Sequence, residues 1–156
     1  KIYDAHYIDC VYCPTRVSVN YYNQYKKDDY YNLHVDNFKA HPKSNNVHFD
    51  YGFSINLNDD YEGGEIYFNT EIGTVGRKLQ AGEAAIFPII YTHGVKEVTK
   101  GLRTNVLGWF SSNLSYEQSF MLKNLYEVNQ HLAKDNNDIF VKSVLVQNYL
   151  KKEWGK

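Results

Sequence analysis

The side chains best able to do chemistry in this chain are His34 and Asp36, separated by Val35, then His93, and Arg103 ten residues further on. Two imidazoles and one carboxylate can hold one face of a non-haem Fe(II) and leave other coordination positions open. A guanidinium nearby can grip the carboxylate of a second molecule in bidentate fashion, which a lysine ammonium does less well. Such a set would support oxidation at a metal centre, provided the fold brings the four residues together.

In a β-strand, residues i and i+2 point to the same face, so His34 and Asp36 can serve one ion with no loop between them. The spacing alone is weak evidence. With 6 His and 10 Asp in 156 residues, about 0.4 such pairs arise by chance. His48-Phe49-Asp50 is a second one, and the bland reading of any single pair is a surface or strand histidine. Arg103 weighs more, because Arg16 and Arg77 are the only other arginines. His93–Val98 and Leu102–Phe110 read as two strands, and a hairpin around Lys100 is expected to set them side by side. Period-two alternation puts Arg103, Asn105, Leu107 and Trp109 on one face: a cation, a polar group and apolar walls. The competing reading of Arg103 is an exposed hairpin-end residue paired with Glu97.

The elements that must position these residues are mostly strands. Val17–Tyr22 begins with alternation and turns aromatic; Phe53–Asn58 alternates strictly, the mark of a half-buried strand. Asp59, Asp60, Gly63 and Gly64 supply turn chemistry. Glu65–Phe68 and Ala84–Phe87, the latter closed by Pro88, are further short strands. Many short strands at close spacing predict a β-sandwich or barrel. Residues 39–47 read as a polar loop that covers the site or simply connects strands. The last third is helical. Ser115 and Gln118 form a candidate capping box, and Met121, Leu125, Val128 and Leu132 define one face of an amphipathic helix. Asp135–Asp138 breaks it. Val141, Leu145 and Tyr149 predict a second helix. Both helices are expected on the outside of a sheet or at a partner surface.

At 156 residues, 43% of them apolar and 16% aromatic, the chain can bury a full core as one domain. With 17 basic against 18 acidic residues and no basic run, a phosphate-backbone footprint is not indicated, so no nucleic acid is expected as partner. No apolar stretch long enough to span a membrane is present. Cys10 and Cys13 form a C-x-x-C without a second metal-ligand pair, which reads as two ordinary thiols rather than a redox or zinc site. The chain opens on Lys1, which leaves a preceding targeting segment open; the balance of features predicts a cytoplasmic protein. His6, His41, His48 and His131 read as surface or packing histidines.

Five segments in this order resemble the Fe(II)- and 2-oxoglutarate-dependent dioxygenases, in particular the prolyl-4-hydroxylase-like branch. They are Tyr25-x5-Tyr31-x2-His34-Val35-Asp36-Asn37; Ile55-Asn56-Leu57-Asn58-Asp59-x-Tyr61-x-Gly63-Gly64-Glu65-Ile66-x-Phe68; Gly82-Glu83-Ala84-Ala85-Ile86-Phe87-Pro88; His93-Gly94-Val95-x-Glu97-Val98-Thr99-x-Gly101-x-Arg103; and Trp109-Phe110. The resemblance covers about residues 17–111 and selects His34-Asp36 over His48-Asp50. It implies a mostly β fold with flanking α: a double-stranded β-helix, a cupin-like jelly roll, with C-terminal helices. It implies one dioxygenase domain over residues 1–156, its β-helix core at about 17–111 and its helical segment at about 115–153. In that family His34, Asp36 and His93 would bind Fe(II), and Arg103 would hold the distal carboxylate of 2-oxoglutarate. Tyr25 would hydrogen-bond that carboxylate, and Ile66 and Trp109 would wall the pocket. Asn56 stands where some relatives have a second cosubstrate-binding tyrosine, so it replaces or loses that contact.

The implied reaction consumes 2-oxoglutarate and O2, releases succinate and CO2, and hydroxylates an aliphatic C–H, with ascorbate a further candidate cofactor. A prolyl or other residue of a peptide or protein is the first substrate class; a free amino acid or other small molecule is the second. Nucleic-acid demethylation fits less well, since relatives with that activity carry a second arginine where this chain has Trp109. A jelly roll that binds a ligand without catalysis is the non-enzyme alternative, and the complete set of ligands and Arg103 argues against it.

Overall fold

The computed structural model describes residues 5–36, 48–135 and 137–155. The chain resolves into two compact units: residues 17–111, and residues 1–16 with 112–156. The loop expected over 39–47 lies outside the described residues.

In chain order the elements are α1 (Ala5–Tyr12), β1 (Pro14–Tyr25), β2 (Tyr31–His34), β3 (Tyr51–Asn56), β4 (Glu62–Gly63), β5 (Ile66–Thr70), β6 (Gly73–Arg77), β7 (Ala84–Pro88), β8 (His93–Val95), β9 (Val98–Lys100), β10 (Arg103–Ser112), α2 (Tyr116–Asp135) and α3 (Asn137–Trp154). The 17–111 unit holds two four-stranded sheets, ordered β1-β10-β3-β7 and β2-β8-β5-β6, with a two-stranded β4-β9 ribbon. Apart from the β5-β6 pair, neighbours in sequence fall in different sheets, as in a jelly roll, and the fold class expected from the sequence is the one observed.

Two strand expectations need correction. First, β8 and β10 are not a hairpin. β8 pairs with β2 and β5, whereas β10 pairs with β3 in the other sheet. Lys96 and Glu97 break the expected 93–98 strand: the Lys96 amide bonds Glu65 O and Glu97 O accepts from the Gly64 amide, so the chain turns to pair as β9 with β4. Gly63 and Gly64 both have φ near +70° (73° and 66°), and a Cβ on Gly63 would lie 2.2 Å from Glu97 O, so this crossing requires glycine. Second, β3 is buried on both faces rather than half-buried. It is paired on both edges, with β10 and β7. Its polar residues Ser54 and Asn56 are buried because side-chain hydrogen bonds satisfy most of their polar atoms.

Inside the sandwich Ile66, Leu79 and Phe87 form a core cluster, with Phe68 and Ala85 packed against it. Tyr51, Phe53 and Phe110 stack along β3 and β10.

In the other unit the capping box is present: the Ser115 amide donates to Gln118 Oε1 at 2.8 Å, and the Gln118 amide donates to Ser115 Oγ at 3.2 Å. Both expected helices exist, but their buried faces are rotated by about one residue. On α2 the buried positions are Ser119, Leu122 and Asn129, while Met121 and Val128 are exposed. On α3 Gln147 is buried and Val141, Leu145 and Tyr149 are exposed. The cause is polar residues at packing positions: Asn129 Nδ2 donates to Gln147 Oε1 at 2.6 Å between the two helices. The sequence reading also missed α1, a short helix that buries Tyr7, Cys10 and Val11, with Tyr7 packed edge-on against Tyr126 of α2. Cys10 and Cys13 are thiols, not a disulfide. Among the described residues no helix is long and apolar enough to cross a membrane.

The observed face makes a discriminating prediction. Leu122 is 0% exposed, so Leu122→Ala should cost about 2–5 kcal/mol in denaturant unfolding. Met121 is 55% exposed, so Met121→Ala should change stability by less than about 0.5 kcal/mol. The reverse order would restore the face expected from the sequence.

Candidate metal and cosubstrate site

His34 ends β2, and its direct cross-strand partner is His93, the first residue of β8. Opposed residues on one face of an antiparallel pair bring their side chains together, and the two ring centroids are 4.3 Å apart. Asp36, two residues beyond His34, turns to the same side. Its Oδ1 lies 3.5 Å from His34 Nε2 and 3.7 Å from His93 Nε2. One ligand atom from each residue falls within 4.8 Å of the others, and this is the one such cluster among the described residues. His48 and Asp50 are not part of it.

The far side of each imidazole is also occupied. His34 Nδ1 is 2.9 Å from Asn32 O, and His93 Nδ1 is 2.9 Å from Tyr91 O. A carbonyl only accepts, so both rings donate through Nδ1 and leave Nε2 facing Asp36. Burial holds His93 below the usual imidazole range, against the opposing pull of the Tyr91 carbonyl and Asp36. A neutral imidazole is the form that binds a metal. Asp36, 8% exposed, turns its other oxygen to β10: Trp109 Nε1 donates to Oδ2 at 2.8 Å. The expectation for Trp109 was a wall; the bond to the carboxylate was not foreseen, because nothing in the sequence pairs residues 73 apart.

Beside this cluster opens a cavity of about 590 Å³ lined from both sheets. Tyr25 of β1, Ile66 of β5 and Asn105, Leu107 and Trp109 of β10 are among its walls. Arg103 is next on the same face of β10, packed against two lining residues. Its Cζ is 5.2 Å from the Tyr25 ring centroid, and its guanidinium donates a 3.3 Å hydrogen bond to Asn105 Oδ1. Asn105 passes the network on to Ser54 Oγ at 2.8 Å. Arg103 is only 1% exposed, its Nε has no partner, and among the described residues no carboxylate pairs with it. The alternative of an exposed arginine bridged to Glu97 is therefore overturned. Burial pushes the Tyr25 phenol up, partly opposed by Arg103, so Tyr25 keeps its proton and stays a donor.

Asn56, 0% exposed, faces a different set of partners. Its Nδ2 donates to Tyr61 Oη at 2.7 Å, Asn58 O at 2.9 Å and Leu79 O at 2.9 Å, and its Oδ1 has no partner.

A buried cation without an anion is costly unless a ligand supplies one, and a carboxylate fits a guanidinium fork. The donor set of two neutral imidazole nitrogens and one carboxylate oxygen suits Fe(II). The residues present therefore fit both groups.

Gly52 was not singled out in the sequence, yet it sits directly behind Asp36. A Cβ there would lie 2.8 Å from the Phe87 ring and 3.1 Å from Asp36 Oδ2, and Phe87 in turn packs 4.4 Å from the His93 ring. Gly52→Ala should weaken divalent-metal binding by about 10–100-fold, the usual effect of disturbing a ligand's support. Titration with Co(II) measures it, and unchanged affinity would mean that Phe87 yields without moving the ligands.

A model of the 2OG-Fe(II) oxygenase superfamily matches residues 17–111. PKHD-type hydroxylase YbiX of Shigella boydii is 28% identical over 152 residues, covering 92% of this chain and 66% of its own length. PKHD-type hydroxylase IL0759 of Idiomarina loihiensis is 29% identical over 155 residues, covering 95% and 68%. The chain thus spans about two thirds of the length of these relatives. A solved oxidoreductase of the 2OG-Fe(II) oxygenase family from Burkholderia pseudomallei superposes with a TM-score of 0.51 at 18% identity, over 62% of this chain and 45% of that one, and shares the fold. With a matching family model over the whole β unit and a two-histidine, one-carboxylate cluster inside it, the chain belongs to the 2OG-Fe(II) oxygenase superfamily and is an oxidoreductase of the dioxygenase class.

Proposed function

We propose that this chain hydroxylates an aliphatic C–H, most directly that of a prolyl residue in a peptide or protein. In this reading His34, Asp36 and His93 hold Fe(II), and Arg103 with Tyr25 holds the distal carboxylate of 2-oxoglutarate. Ile66 and Trp109 wall the pocket, and Asn56 turns its amide to Tyr61, Asn58 and Leu79 instead. When bound, iron and 2-oxoglutarate supply the oxidising chemistry, with O2 consumed and succinate and CO2 released.

Arg103 carries the proposal: a guanidinium 1% exposed, with an unpartnered Nε, packs against Tyr25 and Asn105, two walls of the cavity that contains the candidate metal-ligand cluster. A dicarboxylate can neutralise it while its other end reaches the cation. The protein contributes orientation. Tyr25 donates from beside Arg103, and the apolar walls of Ile66, Phe87 and Leu107 limit water at the reacting end.

The hydroxylation reading draws on the relatives named PKHD-type hydroxylases, and the peptide reading on the charge of the cavity. Among the described lining residues Asp36 is the one carboxylate, and it is committed to the cation. A free amino acid would find no counter-charge there for its ammonium group, whereas a prolyl residue within a chain has none to neutralise.

Anaerobic addition of Fe(II) and 2-oxoglutarate should produce the weak visible charge-transfer band of a chelated cosubstrate; no band under conditions where iron is bound would sink the oxygenase reading. Arg103→Ala should retain the band but need more 2-oxoglutarate. Removing one partner of a buried charge pair costs about 2–5 kcal/mol, or roughly 30-fold or more in the midpoint. An unchanged midpoint would place the carboxylate elsewhere. For the substrate, aerobic incubation with proline-containing peptides and with free proline should give a one-oxygen mass gain on the peptide prolyl. Oxidation of free proline alone would favour the small-molecule alternative.

A further inference from the structure

Asp36 is held from two sides. Its Oδ1 faces both imidazoles, at 3.5 Å and 3.7 Å from their Nε2 atoms. Its Oδ2 accepts the Trp109 indole N–H at 2.8 Å. A carboxylate can bind a cation through one oxygen or through both. Swinging Oδ2 round to the imidazole side would break a hydrogen bond to a group only 8% exposed, with no water readily at hand to replace it.

Trp109 cannot easily follow such a swing. Phe49 stacks against it at 6.4 Å, and Tyr21 packs edge-on at 5.9 Å. It also stands on β10, in the sheet opposite the two histidines. The indole N–H is thus a fixed point, carried by one sheet, against which a ligand from the other sheet is oriented.

Resting on the assignment of His34, Asp36 and His93 as the metal site, we propose that Trp109 is a positioning residue that keeps Asp36 a one-oxygen ligand. Three protein atoms on a six-coordinate ion leave three positions. A two-point cosubstrate and O2 need all three, and a chelating Asp36 would take one of them. Trp109 acts on the open positions without touching the ion.

The test uses the whole chain loaded with Co(II), which reports coordination by its ligand-field spectrum and does not turn over. Trp109→Phe keeps the aromatic wall and removes the N–H; Trp109→His keeps a ring N–H. Trp109→Phe should alter the Co(II) spectrum and weaken 2-oxoglutarate binding about tenfold or more. Trp109→His should move both back toward the wild type. In the wild type itself, infrared difference bands on Co(II) binding should be those of a unidentate carboxylate. Bidentate bands in the wild type would overturn the proposal, as would a Trp109→Phe protein with unchanged spectrum and unchanged 2-oxoglutarate affinity. Equal losses in both variants would also overturn it, reducing Trp109 to packing. A wild type that binds Co(II) but not 2-oxoglutarate would instead overturn the oxygenase reading, while the infrared bands would still decide the role of Trp109.

Discussion

A guanidinium that, among the described residues, is buried without a carboxylate is the constraint around which the site is built. Arg103 is 1% exposed and rests on one long hydrogen bond to Asn105 and the face of Tyr25. Neither supplies a negative charge. Ions buried in this way are destabilising until paired, so the fold carries a standing demand for an anion at one fixed place. Because Arg103 belongs to the β1-β10-β3-β7 sheet and both histidines to the other, that demand is made across the sandwich from the metal cluster. The distance between cation site and anion site is set by sheet packing rather than by any loop.

The same economy of rigid supports governs the ligands. Each imidazole is fixed by the carbonyl two residues before it, Asn32 for His34 and Tyr91 for His93. The device is local and repeats although His34 closes β2 and His93 opens β8. Asp36 follows the end of β2 and has no such local support among the described residues, and its outer oxygen is held from the opposite sheet by Trp109. The residue least constrained by its own strand is the one that needs a partner from far away.

Local patterns were legible in the sequence; pairings across the sandwich were not. The i, i+2 step announced that His34 and Asp36 share a face, and alternation announced the same for Arg103, Asn105, Leu107 and Trp109. The cross-strand register of His34 with His93 could not be read, since the 58 intervening residues leave no periodic trace. The ten-residue step from His93 to Arg103 suggested a hairpin, yet Lys96 and Glu97 divert the chain into a separate ribbon. His34, Asp36 and His93 cluster, while Arg103 packs against the cavity walls Tyr25 and Asn105 from the opposed sheet. In the helices the period survived and the phase did not: Ser119, Asn129 and Gln147 occupy packing positions that a hydrophobic pattern assigns to apolar residues. One hydrogen bond, from Asn129 Nδ2 to Gln147 Oε1, joins the buried amides there, and the exposed apolar residues beside it mislead the eye.

Asn56 shows why a substituted position must be judged by donors and acceptors, not by size. A tyrosine hydroxyl at this point of β3 could donate to a carboxylate. Asn56 has two N–H hydrogens, and three acceptors already crowd its nitrogen: Tyr61 Oη, Asn58 O and Leu79 O. What remains is Oδ1, an acceptor with no partner, and one acceptor cannot bind another. A carboxylate arriving beside Arg103 would satisfy the orphaned Nε and leave Oδ1 as it is. The donor lost with the tyrosine is therefore not restored by the asparagine. In the proposed reading the anion would lean harder on Arg103 and on Tyr25, whose phenol burial keeps protonated. A site with fewer donors around its guanidinium depends more steeply on the guanidinium itself.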